Sequence, residues 1–152
     1  AVDLWDQLPE YANKDVECIV GDIEQIESID DESIDYAFAS NIFEHITADK
    51  LAIVLEILKR KLKKDGSLCI LQPNYKLAYK EYFDDYTHVS IWSDQSLSDF
   101  LMANGLKVKY VKAGFLPLSI KSRFPVHPLL IRLYLKLPFK VFAKQMLVVA
   151  SR

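Results

Sequence analysis

A chain of 152 residues with 51% apolar and 26% charged side chains has the size and composition of one soluble globular domain, which argues against two domains. No stretch reaches the roughly 18 continuous apolar residues of a membrane span, and Asp3 and Asp6 interrupt the start where a signal peptide would be apolar, so the expectation is a single domain over 1–152, soluble and cytoplasmic. The formal net charge of −2 hides a gradient, since residues 1–50 hold 14 acids and 2 bases whereas 101–152 hold 10 bases and no acid; a solvated basic face balancing the acidic half is the plainer reading, with no nucleic-acid partner.

In chain order, Val16 to Val20 is a short β-branched run closed by Gly21-Asp22, which predicts a buried strand ending in a turn. Ile34 to Ala39 follows the acidic turn Asp30 to Ser33 and ends at the polar pair Ser40-Asn41. Leu51, Val54, Leu55, Leu58 and Leu62 then recur at helical spacing. Thr47 is placed to cap that helix, Lys59 to Lys64 load its last turns with positive charge, and Gly66 reads as its stop. Ser67 to Leu71 is a further strand, closed by Gln72-Pro73-Asn74 because proline does not fit a central ladder.

A polar and aromatic loop is expected from Tyr75 to Trp92. Ser93 caps the next helix, with Leu97, Phe100 and Leu101 on one face and Gly105 as its left-handed terminus. Leu106 to Val111 reads as strand, followed by a loop holding Pro117, Pro125 and Pro128. A short helix with Leu129, Leu130, Leu133 and Leu137 is expected to face the core and to end at Pro138; contact of its Arg132 and Lys136 side with a membrane surface is the lesser reading. Met146 to Ala150 closes the chain as strand. Cys18 and Cys69 lie in apolar runs without a CxxC spacing or a neighbouring histidine, so they read as structural thiols, and no metal site is expected.

Alternating strands and helices with nearly unbroken apolar strands indicate an α/β fold with a largely parallel sheet covered on both faces. Ligands of such sheets bind beyond the carboxyl ends of the strands, which directs attention to Gly21-Asp22, Ser40-Asn41 and Gln72-Asn74. Each candidate has a plainer structural reading. Asp22 could be an ordinary turn aspartate and Asn41 a turn cap. His45 could be bonded to a loop carbonyl instead of taking a proton, and His88 could anchor its loop. Tyr75, Tyr79, Tyr82, Phe83, Tyr86 and Trp92 could form a lid, stack on a sugar or cover the core.

The stretch Gly21-Asp22, then Glu32-Ser33-Ile34-Asp35-Tyr36-Ala37-Phe38-Ala39-Ser40-Asn41 and Phe43-Glu44-His45-Ile46, resembles the third and fourth strands of class I S-adenosylmethionine-dependent methyltransferases of the type 11 kind. Leu62-Lys63-Lys64-Asp65-Gly66-Ser67-Leu68-Cys69-Ile70-Leu71 is similar to the helix end and fifth strand of that family, and Asp85-Tyr86-Thr87-His88-Val89 to its Asp-x-Thr-His loop. Lys121-Ser122-Arg123-Phe124-Pro125 and His127-Pro128 further resemble small methyltransferases associated with glycan and cell-surface polysaccharide assembly.

The resemblance implies a Rossmann-like three-layer fold. Its seven-stranded sheet is mostly parallel, with the last strand antiparallel beside the sixth. It also implies an N-terminally incomplete domain lacking its first strand, because none of the 4 glycines precedes Gly21 and Ala1-Val2-Asp3-Leu4 aligns with the end of the second strand. Such an enzyme uses S-adenosylmethionine and releases S-adenosylhomocysteine. Asp3 would then accept from the ribose hydroxyls, Leu4 pack on the adenine, Gly21 and Asp22 meet the adenine amino group and the Ile23 amide the ring, while Ser40 and Asn41 lie beside the methyl. His45 and His88 become the candidate catalytic residues, with Glu44, Asp85 and Thr87 on the substrate side. The acceptor is expected to be a small molecule or a saccharide, and a homo-oligomer is compatible with this reading. The alternative is a non-catalytic methyltransferase-like scaffold; a nicotinamide enzyme explains neither the Asp-x-Thr-His loop nor the antiparallel finish. The cofactor reading requires the turns after Val20, Ala39 and Leu71 to share one rim.

Overall fold

The computed structural model describes residues 1–117, 127–137, 140 and 142–152. The helix expected after Thr47 is α2 (Ala48–Lys61), with Lys50 N donating to the Thr47 side chain at its start and Leu51, Val54, Leu55 and Leu58 buried. Gly66 does not end it. Leu62 already begins the strand β4 (Leu62–Pro73), which pairs in parallel with β3 (Ile34–Ser40). Their register jumps from Ile34↔Leu62 to Tyr36↔Ser67, and within that excursion a Cβ on Gly66 would lie 2.8 Å from the Ile34 carbonyl oxygen and 3.0 Å from the Lys63 amide nitrogen. Glycine is needed here for a close backbone approach, and neither contact can relax by a side-chain rotation. Gly66→Ala should therefore cost about 1–3 kcal/mol in urea unfolding; a loss below a few tenths would show that the backbone gives way freely.

After β4 come the short helix α3 (Tyr75–Ala78) and a 3-10 turn at Tyr82–Asp84, where the sequence suggested only loop. The serine cap is as expected: Ser93 and Ser96 form a reciprocal capping box at the start of α4 (Asp94–Ala103), and Gly105 follows it at φ +81°. The strand β5 (Lys107–Pro117) takes in Pro117, and β6 (Ala143–Ser151) completes the sheet in the order β3-β4-β6-β5, antiparallel to both of its neighbours. The antiparallel finish expected from the resemblance is thus present.

At the start of the chain β1 (Val2–Asp3) and β2 (Ile19–Val20) pair in parallel as a separate two-stranded sheet, joined by the single-turn helix α1 (Leu8–Tyr11). The strand read over Val16 to Val20 shrinks to two residues because its partner offers only two, and Val16 N instead closes a turn onto the Asn13 carbonyl. Among the described residues there are six strands in two sheets, the arrangement expected of the seven-stranded sheet without its first strand.

One face of the larger sheet carries the core. Ala39, Leu68, Ile70, Met146, Val148 and Ala150 pack with the buried faces of α2 and α4. On the other face Tyr36 and Phe38 remain exposed, at 80% and 64%. The helix α5 (Pro128–Lys136) corrects a further expectation, because none of its residues is buried and Leu129, Leu130 and Leu133 face solvent instead of the core. Its apolar periodicity reports a face without saying what that face meets. The Lys121 to Pro125 segment and Pro138 lie outside the described residues.

Candidate functional site

Parallel strands aim their carboxyl ends to one side, and the turns there are tied together by hydrogen bonds. Gly21 N donates to the Asp3 carbonyl at 2.9 Å, joining the ends of β1 and β2. Asp22 opens the 3-10 helix Ile23–Ser28, and Lys50 Nζ, in the first turn of α2, donates to its Oδ2 at 2.6 Å. That ion pair couples the turn after β2 to the helix that follows β3. Lys50 and its hydrogen bond hold the Asp22 carboxyl below its ordinary pKa. Asn41 N in turn donates to the Leu71 carbonyl at 2.8 Å, joining the ends of β3 and β4. The turns after Val20, Ala39 and Leu71 therefore share one rim.

Asn41 stands in the left-handed region at φ 51°, where asparagine is among the few tolerated side chains. Its Oδ1 accepts from the buried Gln145 Nε2 at 2.9 Å and its Nδ2 reaches the Ser40 hydroxyl at 3.4 Å, so this side chain braces the turn as a cap does. Asp3 and Leu4 are exposed at the end of β1, where Asp3 Oδ1 accepts from Trp5 N at 2.9 Å. Ile23 is half-buried and packs against the core.

The acceptor-side candidates come together from distant parts of the sequence. Phe43–His45 is a 3-10 turn just past β3, and Val89 N and Ser90 N both donate to the Glu44 carbonyl, at 2.9 and 3.0 Å. Trp92 Nε1 donates to the Phe43 carbonyl at 3.1 Å, and the Tyr82 hydroxyl to the Ser90 carbonyl at 2.7 Å. These bonds fasten the aspartate-tyrosine-threonine-histidine loop onto the turn after β3. His45 and His88 meet edge to face, with ring centroids 4.7 Å apart. Of the expected aromatic lid, Tyr82 and Trp92 are core, whereas Tyr79, Phe83 and Tyr86 are exposed.

Proton positions follow from which partners can donate. Asp85 Oδ1 lies 2.5 Å from the Thr87 hydroxyl, and the Thr87 hydrogen bonds hold its carboxyl ionised below the ordinary range. Thr87 therefore donates to Asp85 and can only accept from His45 Nδ1, 2.9 Å away. His88 Nδ1 faces the Tyr82 carbonyl, which also only accepts. In their neutral forms both rings thus carry the hydrogen on Nδ1 and present a bare Nε2. Between them Glu44 is 1% exposed, and neither carboxyl oxygen has a hydrogen-bond partner among the described residues. Burial, with the nearby Asp85 charge adding to it, pushes the Glu44 carboxyl up to about 7.

Lys50, Gln145 and Ser90 were missed by sequence reasoning. Only Lys50 left a sign, being a cation in the first turn of a helix, where the dipole disfavours it unless an anion is near. A cleft of about 620 Å³, bordered by Glu32, Asp65, Lys107 and Arg152, lies at the opposite end of the sheet and holds none of the site candidates.

The family model described as a methyltransferase domain matches residues 1–70. The fold superposes on a SAM-dependent methyltransferase from Archaeoglobus fulgidus with a TM-score of 0.69 at 21% identity, over 99% of this chain and 74% of that one. For a S-adenosylmethionine-dependent methyltransferase from Mesorhizobium loti the TM-score is 0.67 at 12% identity, over 99% and 78%. Residues 1–70 thus match a methyltransferase domain in sequence, and the fold as a whole is that of S-adenosylmethionine-dependent methyltransferases. A Haloferax volcanii methyltransferase solved with the Trm112 methyltransferase activator matches this methyltransferase fold at a TM-score of 0.67 and 18% identity, over 94% of this chain and 65% of that one. No curated protein matches the sequence.

The hydrogen-bond acceptors on the rim match the cofactor's donors. Adenosine offers an exocyclic amine and two ribose hydroxyls, all donors, and carboxylates are acceptors only. Asp3 and Asp22 place two carboxylates at the ends of adjacent strands, and the Asp22 side chain remains 48% exposed despite its bond to Lys50. The residues present fit a nucleoside on this side.

Proposed function

We propose that this protein moves a methyl group from S-adenosylmethionine to a hydroxyl of a small-molecule or saccharide acceptor. The observation that carries this reading is the chain Asp85–Thr87–His45, which ends in a bare Nε2 beside the carboxyl end of β3. S-adenosylmethionine supplies an electrophilic methyl on a sulfonium, so that a new oxygen–carbon bond forms while the carbon–sulfur bond breaks and its electron pair stays on sulfur. Asp3, Asp22 and the Ile23 amide would hold the nucleoside, and the Ser40-Asn41 turn would border the methionine end of the cofactor. His45 Nε2 accepts the proton that the acceptor hydroxyl gives up, while Thr87 and Asp85 keep the ring in the orientation and tautomer that leave this nitrogen free. His88 and Glu44 border the same space. The Haloferax volcanii neighbour, solved with an activator protein, supports a protein partner as part of this reading.

Calorimetry with S-adenosylhomocysteine on the intact protein tests it. Binding is expected, and Asp22→Ala should weaken it about tenfold or more, since a hydrogen bond to a charged group is worth about 1.5–3 kcal/mol. Tight binding unchanged by Asp22→Ala removes Asp22 from the site. Absence of binding favours the non-catalytic scaffold.

A further inference from the structure

From the convergence of Glu44, His45 and His88 we infer a site for one divalent transition-metal cation of the zinc or ferrous-iron class on the acceptor side of the rim. Each of the three residues can place a ligand atom within 4.8 Å of those of the other two. His45 Nε2 already stands 4.0 Å from Glu44 Oε1. Ligands at about 2.1 Å in a tetrahedral shell are about 3.4 Å apart, so closure on a cation takes side-chain shifts of about an ångström.

Three features separate this cluster from a chance meeting of polar residues. First, both imidazoles have Nδ1 engaged, His45 by Thr87 and His88 by the Tyr82 carbonyl, which leaves the Nε2 lone pairs as the free atoms. Histidines that bind metals are oriented in this way, through a hydrogen bond from the other ring nitrogen to a carbonyl or carboxylate-linked group. Second, Glu44 is 1% exposed and neither of its oxygens has a hydrogen-bond partner among the described residues, a costly placement for a carboxyl unless something else satisfies it. Third, the His45 side chain is 31% exposed, so the cluster opens to solvent and leaves coordination positions for an oxygen from outside.

Two nitrogens and one carboxylate select the cation. Calcium and magnesium prefer all-oxygen shells, and soft monovalent copper prefers sulfur. The role of the cation rests on the methyl-transfer reading: it would hold the acceptor hydroxyl beside the methyl donor and lower its pKa, so that the proton passes to solvent water at the open side of the cluster and not to His45 as the oxygen–carbon bond forms and the carbon–sulfur bond breaks. Its binding does not rest on that reading.

Zinc titration of the chelator-treated intact protein, followed by calorimetry, is expected to show one equivalent bound at this cluster, with the dissociation constant raised at least tenfold in Glu44→Gln and in His88→Asn. Far-UV circular dichroism and melting of both variants establish that they fold. Cobalt(II) provides a second readout on the unsubstituted protein: visible d–d bands should appear and be displaced by zinc, whether or not the variants fold. Failure to take up either cation overturns the inference, as does uptake that is the same in folded Glu44→Gln and His88→Asn. S-adenosylhomocysteine binding and its loss in Asp22→Ala are read in a separate titration without metal, so failure of the metal site and failure of the methyl-transfer reading are distinguishable.

Discussion

His45→Ala should lower turnover of a hydroxyl acceptor about a hundredfold or more, while the affinity for S-adenosylhomocysteine stays within about twofold. The asymmetry follows from position. His45 lies past the end of β3 against Thr87, on the acceptor side, whereas the nucleoside candidates Asp3 and Asp22 lie at the ends of β1 and β2. Thr87→Val keeps the shape of the side chain but removes the hydroxyl that accepts from Nδ1, so it should give a milder loss of about tenfold that appears in kcat more than in KM. The ring would still be held by the Thr87 backbone carbonyl, 3.3 Å from Nδ1. Initial rates of S-adenosylhomocysteine release measure both. Parental turnover in His45→Ala would reject any catalytic part for this residue and leave it the structural role that the sequence also allowed.

The second large effect concerns stability. Phe43→Ala should destabilise the fold by about 3–5 kcal/mol, the usual range for truncating a fully buried phenylalanine. Phe43 is 0% exposed, sits in the same core as α2, α4 and the β3-β4-β6 face, and is the first residue of the turn that carries Glu44 and His45. Removing the ring leaves a cavity at the base of the site, so cofactor and acceptor binding should weaken along with stability. Chemical denaturation of the intact protein measures the change. A loss below about 1 kcal/mol would mean that the surrounding core side chains close over the space, and that the turn is not held by this side chain.

The aspartate-tyrosine-threonine-histidine loop is instructive about what a one-dimensional reading can reach. Its residue types mark it as unusual, and the turn after β3 is marked by its position at a strand end. That Val89 and Ser90 bond to the Glu44 carbonyl, and that His45 and His88 therefore touch, depends on packing across more than 40 residues of chain. For the same reason no metal site is apparent along the sequence. Glu44 is an ordinary surface-type residue by identity, and only its burial against two imidazoles, both bare at Nε2, changes its meaning.

Patterns carried by neighbouring residues sufficed on their own for the cap at Thr47, the serine box at Ser93, the left-handed Gly105, the apolar face of α2 and the strand after Asp31, because capping, periodicity and backbone freedom act within one or two turns of chain. Tertiary structure alone decided that Gly66 serves a close strand approach and not a helix stop, that α5 faces solvent, and that Asp22 pairs with Lys50. Each of those outcomes depends on what lies opposite a residue in space, and apolar periodicity or a turn residue records only that a face or a bend exists, not its partner.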